Sequence, residues 1–251
     1  MAWPNTRLLQ EIYKVTDSFS WLHLTDFHYG LKGQGCLWPN LREPFLESLK
    51  SLHEKCGPWN AVLFTGDLVQ AGKSEEFREM QANVLDPLWE KLGELGSGNA
   101  VLLAIPGNHD LDRPDPKGDN AAADRLLEKD GFEQIKEKFW DLSNQSYRRV
   151  ISDAFASYGE WWKSAPHRVD NLYSGILPGD FSATIKRGAR RIGIVGLNTT
   201  FLQLAGGDYK GRLVWDANQL HRVCHDNVDV WAKERFFRFK VRGLGFLTVL
   251  S

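Results

Sequence analysis

Cysteine is scarce in this sequence and widely scattered. Cys36, Cys56 and Cys224 are odd in number and show no C-x-x-C spacing, which speaks against a disulfide framework or a structural zinc knot. A reducing cytoplasm is the expected compartment. No run reaches the roughly 18 to 20 uncharged apolar residues that a membrane span needs. The opening MAWPNTRLLQEIYKV lacks the basic start, apolar stretch and small-residue cleavage site of an export signal. An excess of charge is missing too: 31 Lys and Arg stand against 32 Asp and Glu, so neither disorder nor a general polyanion-binding surface is indicated. There is no internal repeat and no low-complexity segment. What is present is 251 residues, 42% of them hydrophobic, enough for one well-buried core.

Short apolar runs alternate with helical patterns. Residues 20–25 (SWLHLT), 61–65 (AVLFT), 100–105 (AVLLAI) and 192–197 (IGIVGL) read as buried strands, each brief and ending in a turn signal. Between them, 41–55 places Leu41, Phe45, Leu49 and Leu52 at helical spacing, and 74–95 does the same with Phe77, Met80, Val84, Leu88 and Leu92. Strand, helix, strand, helix, strand is the order of a layered α/β domain. After the Pro, Asp and Gly loop at 111–119, helical stretches at 121–142 and 147–163 make residues 111–172 a helical insertion beside the sheet. Its aromatics Phe139, Trp140, Phe155, Tyr158, Trp161 and Trp162 recur at helical spacing, which favours core over a stacking platform for a base.

Three strand ends carry polar clusters: Asp26-Phe27-His28, Gly66-Asp67 and Gly107-Asn108-His109-Asp110. Each alone is a weak signal. Ligands bind beyond the carboxyl ends of strands in open α/β sheets, so three clusters on neighbouring strands would converge. Asp67 follows Asp26 by 41 residues and Asn108 follows Asp67 by the same number, room for one crossover helix each time. Carboxylate, imidazole and amide oxygen together suit Mn²⁺, Fe²⁺ or Zn²⁺. Glycine at 66 and 107 lets the backbone turn where a ligand must sit close.

These motifs, on their apolar strands, resemble the calcineurin-like metallophosphoesterase superfamily. The resemblance covers about 20–235, taking in Asn198-Thr199-Thr200 after the fourth strand and the stretch from Gly211-Arg212-Leu213 to Gln219-Leu220. It implies a layered αββα sheet core and two divalent metal ions. Asp26 and His28 would bind one, Asp67 would bridge both, and Asn108 would bind the second. His109 would touch a phosphoester substrate, with Asp110 either orienting its ring or capping a turn. Two cations about 3.5–4 Å apart can polarise phosphoryl oxygens and activate a bridging hydroxide, so no nucleophilic side chain is needed.

The sequence departs from the family after this point. A histidine at the end of the next strand and a Gly-His-x-His motif are both missing, and the chain reads as C-terminally truncated. His221 and His225 would share a helix face if 216–232 were one helix, although a surface or half-buried position suits them better. Residues 1–15 are set apart as an N-terminal segment, 16–235 as the domain and 236–251 as an atypical tail. In that tail Arg238, Lys240 and Arg242, with Arg235 just before it, speak against a clean buried strand ahead of Gly243. The expected function is metal-dependent hydrolysis of a phosphomonoester or phosphodiester, impaired if those ligands are needed. The alternatives are a non-catalytic or regulatory module, or an N-terminal fragment of a larger signalling protein. A nuclease is weakened by the neutral charge balance, no membrane partner is expected, and oligomeric state is left open.

Overall fold

The computed structural model describes residues 18–32, 37–115, 117–188, 190–207, 213–235, 237–242 and 246–250. Strands β1 (Trp21–Leu24), β2 (Ala61–Thr65) and β3 (Val101–Ile105) form a parallel sheet in that order, with Leu22 opposite Val62 and Val62 opposite Leu102. Parallel neighbours need a crossover. The first is α1 (Leu37–Cys56), which begins earlier than the apolar spacing predicts because Pro39 falls in its first turn, where a missing N–H costs nothing. The second is the predicted 74–95 helix in three pieces: α2 (Ser74–Met80), a π-helical turn (Gln81–Leu85) and α3 (Asp86–Glu94). Pro87 has no N–H for the carbonyl four residues back, and that carbonyl, Asn83 O, accepts the Trp38 indole N–H instead at 2.9 Å.

A second sheet is built from β4 (Leu172–Ser174), β5 (Phe181–Arg187), β6 (Arg190–Leu197), β7 (Phe237–Arg242) and β8 (Phe246–Leu250). Only the β6–β7 pair is parallel. The period-2 alternation of strands sorts the side chains into layers. Ala61, Leu63, Leu103 and Ile105 meet Phe181, Ala183, Ile192 and Ile194 between the sheets, while Val62, Phe64, Leu102 and Ala104 turn to the helices. On the far side Val195 and Leu197 pack with Val223 and Trp231, from α8 (Ala217–Val223) and α9 (Val228–Lys233). The fold is the expected αββα sandwich. β7 corrects the reading of the tail: Phe237, Phe239 and Val241 alternate with Arg238, Lys240 and Arg242, a strand pattern that a tally of charges conceals. The N-terminal segment 1–15, Cys36, Gly211 and Arg212 lie outside the described residues.

The stretch 121–163 resolves into α4 (Ala121–Leu127), α5 (Gly131–Trp140), α6 (Ser146–Ala154) and α7 (Ala156–Ser164), which serve two different cores. α7 belongs to the layer covering the first sheet. Tyr158 is fully buried and donates its hydroxyl to Ala104 O at 2.9 Å, and Trp161 stacks on Phe77 at 5.5 Å. The other three helices close around Phe132, Ile135, Phe139, Ile151 and Phe201. Buried Arg148 of α6 donates to the carbonyls of Phe139 and Asp141 at the end of α5. Phe139→Ala should cost about 3–5 kcal/mol in a urea unfolding curve, since the ring is 0% exposed and touches Phe132, Trp140 and Phe201.

Where β6 ends, a buried polar network ties the layers together. Asp180 Oδ1 accepts from Asn198 N at 2.7 Å and from Gln219 Nε2 at 3.0 Å, while Gln219 Oε1 accepts from Asp216 N. Burial pushes the Asp180 carboxyl up to about 8. The folded state therefore keeps a proton that the unfolded chain releases above its ordinary value of 3.8. Stability from this group is complete at low pH and is lost as pH rises through that interval, by at most about 1.4 kcal/mol per unit. Thermal melts from pH 5 to pH 8.5 should show a falling midpoint in the parent, and Asp180→Asn should make the decline shallower, most clearly above pH 7, where the other raised carboxyl, Asp110, no longer contributes. An equally steep decline in the variant would rule this group out as its source.

Candidate metal centre

The three clusters meet at the carboxyl edge of the parallel sheet because the chain beyond each strand stays in register for a few more residues. Asp26 N donates to Gly66 O at 3.2 Å, His28 N to Asp67 O at 2.8 Å and Tyr29 N to Leu68 O at 3.0 Å. From the third strand the turn at 107–110 closes on Asp67, whose Oδ1 accepts His109 N–H at 2.9 Å. The approach is tight. A Cβ on Gly107 would lie 2.2 Å from Asp67 Oδ1 and 2.4 Å from Asp67 N.

Asp26, His28 and Asp67 each offer a ligand atom, and these atoms lie within 4.8 Å of one another. His28 Nε2 is 3.9 Å from Asp67 Oδ2. All three residues hold a left-handed backbone, with φ of 54°, 49° and 52°, a conformation costing a non-glycine residue about 1–3 kcal/mol that clusters at functional sites. Asp67 is 4% exposed and has no cationic side chain of Lys or Arg among its described partners, and His28 Nδ1 is buried without a hydrogen bond. An unneutralised carboxylate facing an imidazole nitrogen is what a divalent cation would satisfy. The donor set fits one ion. For a second ion, Asn108 stands in the same turn, next to His109 and with its carbonyl held by Arg113 Nη2 at 2.7 Å.

A family model described as calcineurin-like phosphoesterase matches residues 19–195. The chain belongs to this family. Comparison with curated proteins gives no significant match. The matched span begins just before β1 and ends within β6, so it takes in both sheets' facing strands and the turns at 26–28, 66–67 and 107–110.

His109 lies beside the ligands, its ring 4.6 Å from that of His28 and edge-on to it. Its Nδ1 is 2.9 Å from Gln70 O and 3.1 Å from the Gln70 side-chain amide. A carbonyl can only accept, so the contact with Gln70 O assigns the proton to Nδ1 and leaves Nε2 its lone pair; the Gln70 amide, placed with its nitrogen toward the ring, matches this tautomer when its nitrogen and oxygen are exchanged. The sequence suggested Asp110 as one candidate to orient this ring. Instead Asp110 Oδ1 accepts from Val69 N at 2.9 Å and Oδ2 from Gly107 N at 2.7 Å, the capping role that was the other expectation. Complete burial, with the charge of Asp67 adding to it, pushes this carboxyl up to about 7. Gln70 and Arg113 were not singled out in the sequence, since both act through backbone carbonyls, to which no motif refers. His221 lies in α8, but that helix stops at Val223 and His225 follows in a left-handed turn at φ 56°, so the two do not share a helix face.

Proposed function

We infer that the protein hydrolyses phosphoesters with the help of a divalent cation held by Asp26, His28 and Asp67. The convergence of these three donors, each on a strained backbone, carries the reading. A cation there would supply Lewis-acid polarisation of a phosphoryl oxygen and a water of lowered pKa. The chain does the positioning. Asp67 presents Oδ2 toward His28 while its Oδ1 is steadied by His109 N–H. His109, its Nδ1 proton committed to Gln70 O, keeps Nε2 as the atom that takes up a proton and donates it to a phosphoryl or leaving-group oxygen.

Both monoester and diester substrates agree with this site, and a reducing compartment such as the cytoplasm suits the free thiols of Cys56 and Cys224. Among the described residues no helix is long and apolar enough to cross a membrane. The test is release of p-nitrophenol from p-nitrophenyl phosphate and bis(p-nitrophenyl) phosphate with added Mn²⁺ or Zn²⁺. Metal-dependent release, lost in Asp67→Asn, is expected, and which of the two esters is cleaved separates phosphatase from phosphodiesterase. One observation favours a second reading. The carboxylates and histidines gathered among the described residues number three, whereas ions of this class take about four or more donors, which suits a regulatory module that holds an ion without rapid turnover. Bound metal with no release from either ester would select it.

A further inference from the structure

Asp26 and His28 also form one wall of a half-open pocket of about 950 Å³ between the loop after β1 and helix α1, with Glu79 and Asn83 on its far side. That is near the upper end for small-molecule sites, and a phosphoryl group at the ligands would fill only a corner of it. We propose that this pocket receives the organic part of the ester, and that this part carries a flat ring, an aryl group or a nucleobase. The proposal rests on the reading of Asp26, His28 and Asp67 as a phosphoester-hydrolysing centre.

The walls argue for a ring. Phe27, Trp38 and Phe45 line the pocket together, with Trp38 4.8 Å from Phe27 and 5.7 Å from Phe45 between ring centres. Trp38 is held in place by its bond to Asn83 O, the carbonyl that Pro87 leaves unserved, and Asn83 Nδ2 in turn donates to Tyr29 OH at 2.9 Å. An aromatic surface fixed before the ligand arrives loses little freedom on binding. A long hydrocarbon tail suits the pocket less well, because Lys32, Arg42, Glu79 and Asn83 share its lining and would be stripped of water against it. Ring edges can meet such groups while the face stacks. Lys32 and Arg42 stand against Asp26 and Glu79 in the lining, so the pocket carries both signs of charge and polar edges of a ring find partners of either kind.

The test is titration calorimetry of the full chain with three phosphonates that cannot be hydrolysed at their P–C bond: ethylphosphonate, benzylphosphonate and the phosphonate analogue of adenosine monophosphate. With Mn²⁺ present, at least one ring-bearing compound should bind about tenfold more tightly than ethylphosphonate or better. Preference for the adenosine compound assigns a nucleoside ester, and preference for benzylphosphonate an aryl ester. Trp38→Leu should erase the preference and leave ethylphosphonate affinity unchanged. Leu41→Glu, at a pocket position already 46% exposed and so tolerant of the change, should weaken ring binding and decides the matter if Trp38→Leu fails to fold. Equal affinities for all three compounds, or a preference that survives Leu41→Glu, would overturn the proposal. A ring preference that persists while Mn²⁺ strengthens no phosphonate would overturn the phosphoesterase reading and leave the pocket standing.

Discussion

Asp67→Asn should lower the affinity for Mn²⁺ by more than about 100-fold, because even the loss of a group that only orients a ligand costs 10–100-fold. The substitution keeps the shape of the side chain and its acceptor for His109 N–H, so the fold should stand. The metal-free variant should melt at or above the parent's temperature, since a nearly buried charge without an Arg or Lys partner has been removed. Added Mn²⁺ separates the two proteins. At about 100 times the dissociation constant a ligand stabilises the native state by about 2.7 kcal/mol, a gain expected in the parent and absent in the variant. A variant that is still stabilised by Mn²⁺ to the parent's extent would remove Asp67 from the site.

Gly107→Ala adds a single methyl group, and its effect should be nearly as large. The new carbon would lie within 2.8 Å of Asp67 Oδ1, N and Cγ, and backbone atoms cannot move aside as a flexible side-chain end can. Overpacking of this kind costs about 1–3 kcal/mol. Here the displaced group is one of the three gathered donors, so Mn²⁺ affinity should fall at least tenfold alongside stability. Gly93→Ala is the matched control. It lies in α3 with nothing within 4 Å of the added carbon, and replacing a helical glycine by alanine should stabilise by about 0.5–1 kcal/mol. If both substitutions change urea midpoints and metal affinity alike, the close approach of Gly107 to Asp67 has no special weight.

The parallel sheet and the gathering of Asp26, His28 and Asp67 at its edge were legible in the sequence because apolar runs mark the strands and the chain must turn, with glycine and polar residues, where they end. Those runs are unbroken and buried in β2 and β3, half-buried and interrupted by exposed His23 in β1. Strands β4 and β5 were less visible. Leu172–Ser174 is three residues long, and Phe181–Arg187 mixes Ser, Thr, Lys and Arg with its apolar positions. The division of 121–163 between two cores was hidden as well, because helical spacing reports that one face is buried but not against what. Tyr158 and Phe139 show the same periodic signal, yet one contacts β3 and the other α5's own neighbours. The π-helical turn at Gln81–Leu85 left Pro87 as its only trace in the sequence.

Because Asp26, Asp67 and the turn carrying Asn108 belong to three successive strand-and-crossover units, no short piece of this chain possesses the metal centre. It comes into existence only when three distant stretches have aligned edge to edge, the kind of long-range pairing that makes a fold slow to assemble. Uptake of a cation at this site would then be a late event in folding and a reporter of its completion. In refolding from urea, Mn²⁺ should slow unfolding while leaving the folding rate nearly unchanged, as expected of contacts absent from the transition state.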